Sequence, residues 1–153
     1  MTNLEHEVRI FCARRLLDLI SPSAVVAWAA EALAAGRESP ELVSLASIQE
    51  PSAETVDSAL GELSDSLSLE RLSVSDSVEL LALLIVRRIL DGSLDPLEGA
   101  RDILRIDARG DGLPALYPIR AAMSEADSDR VAFSEYREDL LRAAGAFAEW
   151  SRW

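Results

Sequence analysis

Almost all the side chains able to do chemistry in this chain are carboxylates. Twenty-seven Asp and Glu stand beside 15 Arg, one His, one Cys and no Lys. Two carboxylates facing each other can serve as general acid and base if one pKa is raised. Most of these acids, however, fall on the polar faces of predicted helices or in a Ser-rich connector. Nucleophilic chemistry is poorly supplied. His6 and Cys12 are six residues apart, nearly opposite sides of one helix, so they cannot work as a couple. Zinc needs several Cys or His ligands, and a dinuclear carboxylate bundle needs a Glu-x-x-His pair that the chain lacks. Without Lys there is no P-loop lysine and no Schiff base. No catalytic residue, metal ligand or cofactor is assigned.

The stretch "DARGDG" at 107–112 overlaps two known signals. Read as a calcium loop from Asp107, it places Arg109 at position three and Pro118 at position twelve, where oxygen ligands belong. Read as Arg109-Gly110-Asp111, it matters only for an extracellular ligand. The composition instead predicts a turn, with Gly110 and Gly112 at positive φ and Asp111 closing it locally. Arg87, Arg88, Arg101 and Arg105 lie near Asp91, Glu98 and Asp102 at spacings that pair on helix surfaces.

Net charge is −12 and uneven. Residues 50–79 carry eight acids against Arg71 alone, and residues 121–139 carry six acids and two Arg, whereas 80–120 balances. Such a surface repels nucleic-acid phosphates and anionic membranes. Asn3 and Gln49 are the only side-chain amides, so direct base reading is also poorly supplied. The same surplus serves solubility and suits a basic protein partner. The candidate partner-binding residues are Glu50, Glu54, Asp57, Glu62, Asp65 and Glu70. Trp150 and Trp153 join them: they fold back on the bundle, or they anchor a partner or a second copy.

These residues must be positioned by helices. A first helix is predicted from about Leu4 to Ile20, from stripes of Ile10, Ala13, Leu17, Ile20 and Leu4, Val8, Phe11. Ser21-Pro22 restarts the chain as cap and first helical residue, and the helix stops at Gly36. Ser39-Pro40 opens a third helix through Ile48, and Pro51 a fourth through Leu63. Residues 64–77 read as an extended, partly packed connector. The helix from about Ser75 to Leu90 is apolar nearly all round, which places it at the core. Asp95-Pro96-Leu97-Glu98 has the form of a capping box opening a helix to Ile106. A helix interrupted by Pro114 and Pro118 ends near Ser124. The last starts at Asp127 or Ser128, with Phe133, Tyr136, Leu140, Ala144 and Phe147 on one face.

"GRESP" (36–40) and "GSLDP" (92–96) share a layout: Gly stop, two residues, cap, Pro. Each predicts a tight helix–helix corner. The runs "WAAEALAAGRESPELVSLAS" (28–47) and "RRILDGSLDPLEGARDI" (87–103) resemble a group of small helical proteins common among bacterial hypothetical proteins. The shared layout is a Trp, a Gly-led corner, then Gly-x-x-x-Pro-x-x-Gly. The resemblance implies an all-helical single domain and carries no activity or catalytic residue.

The expected fold is all-α, a single domain over 1–153 with about seven to eight helices around the 75–90 helix. The expected protein is bacterial and cytoplasmic, since one Cys forms no internal bridge and "MTNLEHEVRI" has no basic leader. No apolar run reaches the ~20 residues of a membrane helix. The leading function is a non-enzymatic module whose acidic face meets a basic protein partner, as an immunity or antitoxin-like protein would. The alternatives are a structural homo-oligomer through Trp150 and Trp153, and a carboxylate enzyme.

Overall fold

The computed structural model describes residues 3–128 and 133–153. Among them the protein is all-helical, with eight α-helices and one short 3-10 turn. The helices gather into two compact units, Met1–Ser73 and Val74–Trp153.

In the first unit, α1 spans Asn3–Leu16, α2 Pro22–Ala34, α3 Pro40–Ala46 and α4 Ala53–Ser66. The starts follow local chemistry. Ser21 Oγ accepts from the Ala24 amide at 3.2 Å and Ser39 Oγ from the Leu42 amide at 3.3 Å, each with Pro next in line. Ser52 and Thr55 form a reciprocal capping box, so α4 begins at Ala53, beyond the predicted Pro51. Its C-terminus lies at Ser66, three residues past the predicted Leu63, which leaves a shorter connector of 67–73. The connector is pinned by buried Leu69, whose amide donates to Ser64 O at 3.0 Å after Ser68 turns to φ 55°.

The first helix ends at Leu16, four residues before the predicted Ile20. Asp18 adopts φ 53°, a conformation that short polar side chains tolerate. The Leu19 amide then closes on Arg14 O at 2.8 Å, and Arg15 Nη1 holds Ile20 O at 2.7 Å. The apolar stripe continues beyond the helix because Leu17 is buried in this hook.

The core of the unit joins Val8, Val25, Ala29, Leu42, Leu45, Val56, Leu60 and Leu63 from all four helices. Each buried Leu or Val contributes roughly 1.5–3 kcal/mol relative to exposure. At one edge Trp28 stacks on Phe11 with centroids 4.3 Å apart and donates its indole N–H to Glu7 Oε2 at 2.9 Å. Arg37, just past the left-handed Gly36, grips both oxygens of Glu7.

In the second unit, α5 spans Val74–Leu90, α6 Pro96–Asp107, α7 Tyr117–Ser128 and α8 Phe133–Trp150, with the 3-10 turn at Pro114–Leu116. Within the unit α5 packs on α6 and α8, and α7 packs on α8. The predicted starts of the last two helices need correction. Helix α7 runs through Ser128, past the expected stop at Ser124, so Asp127 and Ser128 end one helix rather than open the next. Pro118 is tolerated because it sits in the first turn, where its missing N–H is not needed. Leu140, Ala144 and Phe147 form the buried face of α8 as expected, and the side chain of Phe133 lies outside the described residues.

Asp95 caps α6 by accepting from the Leu97 and Glu98 amides at 3.0 and 3.3 Å, so its carboxylate alone serves both amides, without the reciprocal bond from Glu98 that a full box needs. Gly99 lets α6 approach α5: a Cβ there would lie 2.5 Å from Ile89 Cδ1 and 2.6 Å from its Cγ1. Two acids depart from the expectation that carboxylates face water. Glu79 on α5 is 7% exposed and Asp107 at the end of α6 is 5% exposed. Glu79 Oε1 accepts from Ser151 Oγ at 2.8 Å and from the Arg152 amide at 2.9 Å, which clips residues 151–152 onto α5.

The glycines set a test with opposite signs. Gly99→Ala should destabilise by about 1–3 kcal/mol through overpacking against Ile89. Gly61→Ala, in α4 with nothing within 4 Å of the new Cβ, should stabilise by about 0.5–1 kcal/mol through helix propensity. Urea unfolding of both variants measures the difference.

The Arg37 guanidinium holds the Glu7 carboxyl below its ordinary 4.5, burial opposing and the Trp28 N–H assisting. A depressed folded-state pKa adds stability above pH 4.5 that disappears as pH falls through the folded value. The stability gap between wild type and Glu7→Gln should therefore be present at pH 6 and shrink by pH 3, read by urea unfolding at each pH.

Candidate protein-binding face

The acid-rich segment after Gln49 becomes the outer side of α4 and the connector beyond it. Val56, Leu60 and Leu63 face the core, which turns Glu54, Asp57, Glu62 and Asp65 outward, and all four are exposed. Glu50, in the bend before α4, and Glu70, in the connector, are exposed too.

These six carboxylates are not equivalent. Asp57 receives Arg15 Nε at 2.7 Å and Nη2 at 3.1 Å, a two-pronged pair from α1 to α4. The Arg15 side chain is 8% exposed and that of Asp57 47%, so the guanidinium is covered while the carboxylate stays partly in water. Asp65 pairs with Arg71 at 3.3 Å on the surface. Glu50, Glu54, Glu62 and Glu70 have no ion pair among the described residues. The face predicted from charge counting is thus a set of matched acids beside a set of unmatched ones.

Alongside lies a groove between α1 and α4, made of two adjoining hollows of about 210 and 320 Å³. Both share Cys12, Leu16 and Gly61. Leu16 is 49% exposed although it is a large aliphatic side chain. Asp57 borders one hollow, and Asp65, Glu70, Arg9 and Arg71 border the other. Burial pushes the Cys12 thiol up to about 11, so near neutral pH it is a protonated, weakly nucleophilic part of the wall. Sequence reasoning missed Leu16 and Gly61: nothing local marks an apolar residue at a helix end as exposed, or a helical glycine as facing a hollow.

The two Trp residues do not share a helix face. Helix α8 stops at Trp150, which touches Phe147 with ring centroids 5.7 Å apart and stays 54% exposed. Trp153 lies beyond the helix, half-buried. Its carbonyl accepts from Arg87 Nη2 at 2.9 Å, and the Arg152 guanidinium sits 4.7 Å above its ring. Arg152 also reaches Asp76 Oδ1 at 2.5 Å, so this tail is fastened to α5.

The stretch "DARGDG" is a turn built around its first residue. Asp107 Oδ1 accepts from the Leu113 amide at 2.7 Å, and Oδ2 takes a close contact from Arg120 Nη1 of α7. Gly112 has φ +79°, but Gly110 does not take the positive φ expected of it. Gly110 serves close approach instead: a Cβ there would lie 2.8 Å from Val78 Cγ2 of α5. Asp107 and Arg120 also border an open hollow of about 600 Å³ with Leu104 and Met123. Among the described residues no three His, Cys, Asp or Glu side chains gather as metal ligands, and no helix is long and apolar enough to cross a membrane.

Protein-family models, curated proteins and solved structures were all compared with the chain, and none matches it.

Asp107 and Asp111 sit in one loop with opposite roles. Asp107→Ala strands a guanidinium and a backbone amide, which should cost about 2–3 kcal/mol. Asp111→Ala removes an exposed carboxylate and should stay within about 0.5 kcal/mol of wild type. Denaturant midpoints of the two variants check both values.

Proposed function

We propose that this chain is a non-enzymatic protein-binding module whose α4 face engages a basic protein, in the manner of an immunity or antitoxin protein that masks a basic toxin. One observation carries the reading: the helix that forms one wall of the open α1–α4 groove also carries exposed, unmatched carboxylates, Glu54 and Glu62, and unmatched Glu70 lines the groove itself. Unmatched surface charge steers an oppositely charged partner and speeds encounter, with a rate that falls as salt screens it. The groove offers the desolvated contact that charge alone does not supply. A cytoplasmic setting belongs to this reading, because a single Cys asks for no oxidising compartment.

The carboxylate-enzyme reading draws less support. Glu7, Glu41 and Asp91 have their pKa displaced downward, led by bonds from Arg37, Ser39 and Ser93. A general acid needs the opposite shift. The hollow bordered by Asp107 contains Arg120 and no second acid among the described residues. A homo-oligomer anchored by both Trp residues loses one anchor, since Trp153 is held within its own unit.

The ion pairs decide how this is tested. Reversing Asp57 or Asp65 would also break contacts to Arg15 or Arg71. The informative variant is Glu54→Lys, Glu62→Lys, Glu70→Lys, which leaves those pairs intact. A protein captured from host extract by wild type should be lost by the triple variant and by raised salt. Equal capture by wild type and variant at all salt concentrations would overturn the proposal.

A further inference from the structure

We propose that the α1–α4 groove receives two apolar side chains, about one helical turn apart, from a basic amphipathic helix of the partner. This rests on the reading of the α4 face above and names how that face binds.

The groove has the form of a receptor for such a helix. Its two hollows adjoin through Cys12, Leu16 and Gly61 and run from Asp57 at one end to Leu72 at the other. Residues i and i+4 of a helix lie on one face, one above the other. Two neighbouring anchors therefore suit two neighbouring hollows. The walls that would meet them are apolar: Leu16, Leu60, Leu72 and the protonated Cys12.

Gly61 sharpens the argument. It is in mid-helix without a positive φ, so the backbone does not require glycine there. Nothing lies within 4 Å of an added Cβ, so internal packing does not require it either, in contrast to Gly99 and Gly110. A helical glycine costs about 0.5–1 kcal/mol against alanine. Gly145 of α8 is equally open, so openness alone decides nothing. What sets Gly61 apart is its place in the wall common to both hollows, beside an aliphatic side chain left half in water. A side chain at 61 would occupy the space that a docked helix needs.

Charge selects the partner's sign. Inside the groove, carboxylates and guanidiniums are balanced, Asp57, Asp65 and Glu70 against Arg9, Arg15 and Arg71. The surplus lies outside the groove lining on the same helix, at exposed Glu54 and Glu62 of α4. At 1.5 Å rise per residue these two stand about 12 Å apart along the axis. Cations seven or eight residues apart on the partner helix match that distance.

Synthetic 18-residue helical peptides test this directly by fluorescence anisotropy. One has two Leu at i and i+4 and Lys along the neighbouring face. A second replaces both Leu by Ala, and a third replaces the Lys by Glu. The first peptide should bind wild type. Replacing the Leu pair should weaken it about tenfold or more, as should Gly61→Met or Leu16→Gln, which alter the groove without altering charge. Circular dichroism and thermal melts establish that both variants fold. If the Ala peptide binds as tightly as the Leu peptide, or both groove variants bind like wild type, the groove inference fails while the acidic-face reading survives. If the Glu peptide binds as well as the Lys peptide, the acidic-face reading itself fails. Binding of no peptide overturns the groove inference, and the acidic-face reading then stands or falls on the triple-variant capture.

Discussion

Guanidinium is the limiting ionic partner in this molecule, and its placement decides which carboxylates hold the fold and which face outward. Twenty-seven acids meet 15 Arg and no Lys. Among the described residues several Arg tie together parts of the chain that lie far apart or on different elements. Arg15 joins α1 to Asp57 of α4, and Arg37 joins the end of α2 to Glu7 of α1. Arg120 joins α7 to Asp107, and Arg152 fastens the segment after α8 to Asp76. A planar fork suits this work, because it can grip both carboxylate oxygens at once or hold a carboxylate and a carbonyl together. Arg15 does the latter, reaching Asp57 and Ile20 O at the same time. Since such pairs cannot exhaust the acids, a surplus must remain at the surface. On α4 it remains at Glu54 and Glu62, next to a groove.

The two buried acids obey the same rule by other means. A carboxylate taken out of water needs its lone pairs occupied. Glu79 is served by a hydroxyl and a backbone amide, and Asp107 by a backbone amide and a guanidinium. Each thereby converts a possible defect into a link. Glu79 holds a segment that has left its helix, and Asp107 closes the loop between α6 and α7. Their burial follows from structural bonds.

What the sequence makes legible follows the range of the interaction. Helix starts at Pro22, Pro40 and Pro96 are readable because a cap and its amides lie within three residues. The end of α1 is not, because the apolar stripe through Leu17 continues into a hook whose helix has already stopped. Gly110 is readable as a turn residue, but its role against Val78 depends on α5 passing close by. The acidic face is readable as a charge count. Its division into matched and unmatched acids is not, because Arg15 lies 42 residues before Asp57. Glu79 sits inside an apolar helix, and its partners arrive 72 and 73 residues later. In each case the missing information is a tertiary neighbour that no local pattern encodes.

The paired corners show how far a shared motif can carry meaning. Gly36 and Gly92 take nearly the same φ, +85° and +79°, and each is followed by a cap and a Pro. The closing bonds nevertheless differ. In the first corner the Arg37 amide returns to Ala32 O at 3.1 Å, and in the second the Leu94 amide returns to Arg88 O at 3.0 Å. The residue just after the glycine diverges further. Arg37 reaches out to Glu7 on another helix, whereas the Ser93 amide turns inward to Asp91 Oδ1 at 2.8 Å. The common letters set a sharp change of direction, which is a property of the local chain. The variable letter sets what the corner is fastened to. A likeness built on such corners therefore reports how helices are joined, and the chemistry of the surface has to be read from the residues that the corners leave free to vary.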